Sequence, residues 1–199
     1  MLKFYFNLSP NPSKVALLLE ELGLDYDPVP VDPRRGQQFE PAFLAVNPNG
    51  KVPAIVDGEV TVFDSNAILL YLAEKTGRFI PADVHGRAEV LQWLFWQMGG
   101  LGPMAGQAHH FRRYAPAGND YAVDRYTREC ARLYRVLDTR LSGRSWIAGD
   151  YSIADMATFP WVSRFEWHQT KLEDHPNVHR WFKAIGARAA VQKGMSVPG

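Results

Sequence analysis

The chain opens with an alternation of apolar and polar positions. Leu2, Phe4 and Phe6 are interleaved with Lys3 and Tyr5, the period-2 pattern of a strand. Asn7-Leu8-Ser9-Pro10-Asn11-Pro12 is turn chemistry. Val15, Leu18, Leu19 and Leu22 then recur at i, i+3, i+4 and i+7, one face of a helix, and Gly23 ends it. Tyr26 to Val31 is a short extended run holding Pro28 and Pro30. Proline donates nothing to a ladder, so this strand is expected at a sheet edge. Phe39, Phe43 and Leu44 predict a second helix that stops before Asn47-Pro48-Asn49-Gly50. Val52 to Val56 and Val60 to Phe63 read as two strands joined at Asp57-Gly58, a hairpin signal. Ser65 opens a helix carrying Ile68, Leu69 and Leu72 and ending near Gly77. The predicted order is β-α-β-α-β-β-α.

Beyond Pro81 the pattern carries no convincing strand. Leu91, Leu94, Phe95 and Met98 form a helical stripe, and Gly99 to Gly118, with Pro103 and Pro116, reads as loop-rich. Tyr126, Cys130, Leu133, Leu137 and Leu141 fall on one helical face. Ser152-Ile153-Ala154-Asp155 is a capping box, a serine with a carboxylate three residues on. Pro176 starts a last helix through Val178, Trp181, Phe182 and Ile185. This divides the chain into an α/β domain over 1–80, a linker over 81–86 and an all-helical domain over 87–199.

Composition narrows the function classes. The chain has 199 residues, 46% hydrophobic and 13% aromatic, enough for a core; disorder requires the opposite composition. A formal charge of +1 gives no electrostatic case for binding nucleic acid. One cysteine excludes a disulfide framework, a CxxC pair and a multi-cysteine zinc site. No apolar run approaches the ~20 residues of a membrane span, and the N-terminus does not read as a signal peptide. A soluble, cytoplasmic protein is expected. His175 and His179 stand at i, i+4, but no third ligand accompanies them, so no metal is expected.

A β-α-β-α-β-β-α unit followed by an all-helical domain resembles the glutathione transferase family, with its thioredoxin-like N-terminal domain. Lys51-Val52-Pro53-Ala54-Ile55 is similar to the loop in which a cis-proline precedes the third strand. Asp64-Ser65 before a helix is similar to the family's acid-serine turn, and the Ser152 to Asp155 box to the cap of the buried helix of the C-terminal domain. Ser9-Pro10-Asn11, Trp93 to Gln97, Gly99 to Met104 and His109-His110-Phe111 resemble the bacterial nu class. The class usually has threonine where this chain has Ser9, and the family usually has glutamate where it has Asp64.

The chemistry follows from thiol acidity. The nucleophile is the thiolate, and an ordinary thiol has a pKa of about 8.5. About 3% is ionised at pH 7; lowering the pKa to about 6.5 ionises roughly three quarters and takes about 2.7 kcal/mol. A helix N-terminus offers orphan N–H groups and positive partial charge. Ser9 and Asn11 flank such a start, so their side chains and N–H groups are placed to donate to an anion. In the thioredoxin fold this loop usually carries a cysteine, and here it carries none. Thiol chemistry then needs an external thiol, which the resemblance identifies as glutathione, a co-substrate.

The resemblance also implies how glutathione is held. Gln38, Lys51, Val52, Pro53, Asp64 and Ser65 match positions the family uses. The Val52 backbone would pair with the peptide like an added strand. Ser65 and the N–H groups after it suit the γ-glutamyl carboxylate, Asp64 the α-ammonium, and Lys51 the glycyl carboxylate. In the nu class an arginine on the helix after the loop assists, and Arg125 matches it. The class implies glutathione-dependent reduction of small or mixed disulfides, with weak organic hydroperoxide reduction as a side activity, in a homodimer. Conjugation of glutathione to an electrophile, with Gly99 to Phe111 lining the second site, is the alternative; a non-catalytic interaction module is the third reading. Cys130, in the apolar stripe of its helix, reads as a buried structural thiol. His109-His110 fits either the electrophile pocket or loop packing.

Overall fold

The computed structural model describes residues 1–196. The first five-residue strand, β1 (Leu2–Phe6), buries Leu2, Phe4 and Phe6 and exposes Lys3, so the alternation read from the sequence is the alternation of the strand's two faces. It pairs in parallel with β2 (Tyr26–Pro30) and antiparallel with β3 (Ala54–Asp57), which pairs antiparallel with β4 (Val60–Phe63). The sheet order is β2-β1-β3-β4. The proline-bearing β2 therefore lies at an edge, where its missing donors are harmless.

Helix α1 (Pro10–Leu22) starts from Ser9, whose extended backbone makes it the N-cap, and ends on Gly23 in the left-handed conformation. Pro10 and Pro12 are tolerated because the N–H groups of a first turn have no intrahelical partner. Helix α1 packs on α3 (Ser65–Thr76), and Val15, Leu17, Leu18 and Leu19 of the one and Ile68, Leu69 and Leu72 of the other are buried. Between β2 and β3 the single predicted helix is instead two three-residue turns, Pro33–Arg35 and Gln37–Phe39, and a four-residue helix, α2 (Pro41–Leu44). Left-handed Gly36 separates the turns, and Pro41 restarts the chain.

The second unit contains, among the described residues, α4 (Val84–Trp96), α5 (Gly102–Arg113), α6 (Asp120–Arg140), α7 (Ile153–Val162) and α8 (Pro176–Gly186). Its central helix α7 is almost wholly buried. The capping box is present, and the Asp155 carboxylate accepts from Ile147 N (3.0 Å), Ser152 N (3.0 Å) and Trp181 Nε1 (2.8 Å). Burial pushes Asp155 up to about 6 against these hydrogen bonds.

Two expectations need correction. Gly99 to Gly118 is not loop-rich over most of its length. A π turn, Gln97–Leu101, carries the end of α4 directly into α5. Gly102 serves close packing: a Cβ there would stand 2.9 Å from Gln97 Nε2 and 3.4 Å from Trp161 Nε1. Pro103 falls in the first turn of α5, where no N–H is required of it. Secondly, the chain after residue 87 is not all one helical domain. The compact units are residues 1–78 with the segment from Arg188 onward, and residues 79–187. A further helix, α9 (Ala189–Met195), packs on α1. Gly194 permits the approach, since a Cβ there would lie 2.7 Å from Leu17 Cα, and Arg188 closes it with a bidentate pair to Glu21.

Candidate functional site

Four segments of the first unit carry all the predicted site residues but Arg125. At the start of α1, Ser9 Oγ donates to Asn7 Oδ1 at 2.5 Å and so does not cap its own helix. Pro10 and Pro12 have no N–H, so of the first three helical residues Asn11 alone brings a backbone donor. The polar groups at this helix start are thus the Asn11 amides and the Ser9 hydroxyl. This is a smaller set than a helix start normally offers, and it uses Ser9 only if its hydroxyl turns from Asn7. Beside this loop lies a cavity of about 410 Å³ lined by Phe6, Asn7, Leu8, Val31 and Arg34.

Val52-Pro53 is a cis peptide immediately before β3. The preceding loop is fixed by Asn47, a buried residue read in the sequence only as part of a helix stop. Its Nδ2 donates to Lys51 O, while its Oδ1 accepts from Asn49 N at 2.9 Å. Lys51 itself is exposed. Gln38 lies in the turn after Gly36. Its Nε2 donates to Pro33 O at 3.4 Å, and its buried Oε1 has no hydrogen-bond partner among the described residues.

Asp64 is the N-cap of α3 and has φ 73°, a conformation rare outside glycine. Such a backbone costs about 1–3 kcal/mol and is characteristic of binding sites. Its Oδ1 accepts from Asn66 N (3.0 Å) and Ala67 N (3.2 Å). The N–H groups after Ser65, expected to meet a carboxylate, are therefore taken by the cap. What remains for an anion is Ser65 itself, and Asp64 Oδ2 remains for a cation.

The sequence reading missed Lys14. It sits inside the apolar stripe of α1, yet it is fully buried, with Nζ 3.2 Å from Ser65 Oγ and 3.0 Å from Asn66 Oδ1. A lysine among Val15, Leu18 and Leu19 is the signal that could have found it, because lysines are almost never buried unpaired.

Arg125 stands on α6 of the second unit and is exposed. Cys130 is buried, and burial with the Glu129 charge pushes its thiol up to about 12, so it is inert as a nucleophile. His109 lies on α5 rather than in a loop and stacks on His168 at 4.6 Å between ring centres. Of Phe39 and Phe43, Phe43 joins the core and Phe39 is 65% exposed. Among the described residues no group of three or more His, Cys, Asp or Glu is arranged to hold a metal.

Family models match both parts of the chain: glutathione S-transferase N-terminal domain over residues 1–74 and glutathione S-transferase C-terminal domain over residues 101–189. The chain belongs to the glutathione transferase family. Among its relatives in that family is the disulfide-bond oxidoreductase YfcG of Escherichia coli, 48% identical over 98% of this chain and 94% of the relative. A glutathione transferase from Burkholderia graminis, solved with two glutathione molecules per subunit, is 45% identical with a TM-score of 0.91 over 99% of this chain and 88% of that one. One from Pseudomonas putida, solved with one glutathione disulfide per subunit, is 40% identical with a TM-score of 0.95 over 100% and 92%. The transferase fold of this chain, a mixed four-stranded sheet domain with a helical domain, is the fold the resemblance implied.

Proposed function

We propose that this protein is a glutathione-dependent thiol–disulfide oxidoreductase of the nu-class type, reducing small or mixed disulfides with glutathione as the external thiol. One observation carries the reading. The start of α1 carries Ser9 and Asn11 but no cysteine, and the chain's one cysteine is buried elsewhere with its thiol pushed up to about 12. A glutathione thiolate attacks one sulfur of the disulfide and the other sulfur leaves as a thiolate. A second glutathione thiolate then resolves the mixed disulfide, releasing the second thiol and glutathione disulfide. Two electrons pass from two glutathione molecules to the substrate, and the protein's own redox state does not change.

Within this reading Ser9 and Asn11 stabilise the thiolate. The Val52 backbone beside Pro53 pairs with the peptide, Ser65 holds the γ-glutamyl carboxylate, Asp64 the ammonium, Lys51 the glycyl carboxylate, and Gln38 accepts from a ligand N–H. Arg125 assists on the strength of the class resemblance. No helix among the described residues is long and apolar enough to cross a membrane, consistent with the cytoplasmic location we propose. The exposed Phe39 and Phe95 support a homodimer; sedimentation at micromolar concentration should give twice the monomer mass, and a monomer refutes it.

The test is reduction of 2-hydroxyethyl disulfide by glutathione, coupled to NADPH consumption through glutathione reductase. The wild-type chain should exceed the uncatalysed exchange, and Ser9→Ala/Asn11→Ala should lose most of that excess. A double variant with full activity removes the proposed site.

A further inference from the structure

Lys14 is fully buried, and its ammonium contacts the start of α3, where the proposed ligand site lies. Its Nζ reaches Ser65 Oγ and Asn66 Oδ1, the first two side chains of α3. Burying an ammonium carries a desolvation penalty that a methionine of similar size would not, and Lys14 is buried in a helix whose Val15, Leu17 and Leu18 are apolar core.

The hydrogen bonding at the start of α3 gives the lysine a task. Asn66 N and Ala67 N are bound by Asp64 Oδ1, so the holding of an anion falls to Ser65. A serine hydroxyl has one proton to donate and two lone pairs. When Lys14 Nζ donates to Ser65 Oγ, the hydroxyl proton remains for another acceptor. Ser65 is 2% exposed, so a carboxylate there is largely out of water, where each hydrogen bond and nearby charge counts for more.

We propose that Lys14 is a positioning residue for glutathione. By donating to Ser65 Oγ and Asn66 Oδ1 from inside α1, it commits the Ser65 hydroxyl to donate to the γ-glutamyl carboxylate and sets a positive charge behind it. The inference rests on the reading of the Asp64-Ser65 turn as the γ-glutamyl site. Burial lowers the Lys14 pKa to about 7, and the Asp64 charge opposes that lowering. A carboxylate at Ser65 acts on Lys14 in the same sense as Asp64.

Calorimetric titration with glutathione, and with an analogue whose γ-glutamyl carboxylate is an amide, tests this in the wild type, Lys14→Met, Ser65→Ala and the double variant. Lys14→Met and Ser65→Ala should each weaken glutathione about tenfold, as loss of a hydrogen bond to a charged group does. The double variant should bind about as weakly as Ser65→Ala alone. The amide analogue should bind Lys14→Met and wild type equally. Lys14→Met binding glutathione like wild type, with Ser65→Ala weakened, overturns the role of Lys14 and leaves the site standing. Ser65→Ala binding like wild type overturns the site and the inference with it. If Lys14→Met does not fold, Lys14→Gln gives the same comparison. Weaker binding of glutathione alone supports the proposal, and equal losses for both ligands overturn it.

Discussion

The reading of the site depends on where single protons are donated. Ser9 Oγ is bonded to Asn7 Oδ1, and two of the first three residues of α1 are prolines. On the proposed reading few groups stabilise the thiolate, each with a large share. Hydrogen bonds to a charged partner contribute ~1.5–3 kcal/mol each, so Ser9→Ala/Asn11→Ala should slow disulfide reduction by about a hundredfold. A change below threefold would contradict that share. The turn residues Ser9 and Asn11, and the Asp64-Ser65 pair, were legible as positions because turn and cap chemistry is local. Their hydrogen-bond partners were not. Which N–H groups the Asp64 carboxylate claims, and that Lys14 points inward to Ser65, depend on α1 lying against α3, a contact 51 residues apart in the chain.

At the scale of elements, legibility follows the same line. The strands and α1 and α3 announce themselves because period and cap agree. The segment over Gln97 to Arg113 misleads because Gly and Pro are read as breakers, whereas here they fit a π turn, a helix start and the face of Trp161. That correction moves His109 onto α5, where it stacks on His168 of the turn Phe165–His168, and Tyr134 Oη lies 2.9 Å from His168 Nδ1. Burial, then the Arg164 and Arg113 charges, lower His109 to about 4; burial, then His109 and Arg164, lower His168 to about 3. Both rings bind protons more weakly folded than unfolded, where the value is near 6.5. The stability they contribute is fully present above pH 6.5 and is lost as pH falls from there toward 4 and 3. Chemical denaturation between pH 7 and 4 should show this loss, and His109→Phe should flatten its slope. An unchanged slope would assign the acid sensitivity elsewhere.

At the scale of the whole molecule, the chain divides its tasks between two compact units. Residues 1–78 with α9 carry every proposed glutathione contact, while residues 79–187 carry Arg125, the histidine pair and Cys130. The C-terminal helix rejoining the first unit was not legible, because nothing in Ala189 to Met195 says which partner its small residues fit. The fit appears only where Gly194 meets Leu17. This division leaves the thiol chemistry with no cysteine of its own, and that is the central claim. Ultraviolet absorbance of the thiolate tests it directly, because Cys130, pushed up to about 12, is silent at neutral pH. Titrating the glutathione-bound protein with base should show a thiolate appearing with a midpoint about two units below the ~8.5 of a free thiol. A bound thiol that titrates at its free value would contradict the account.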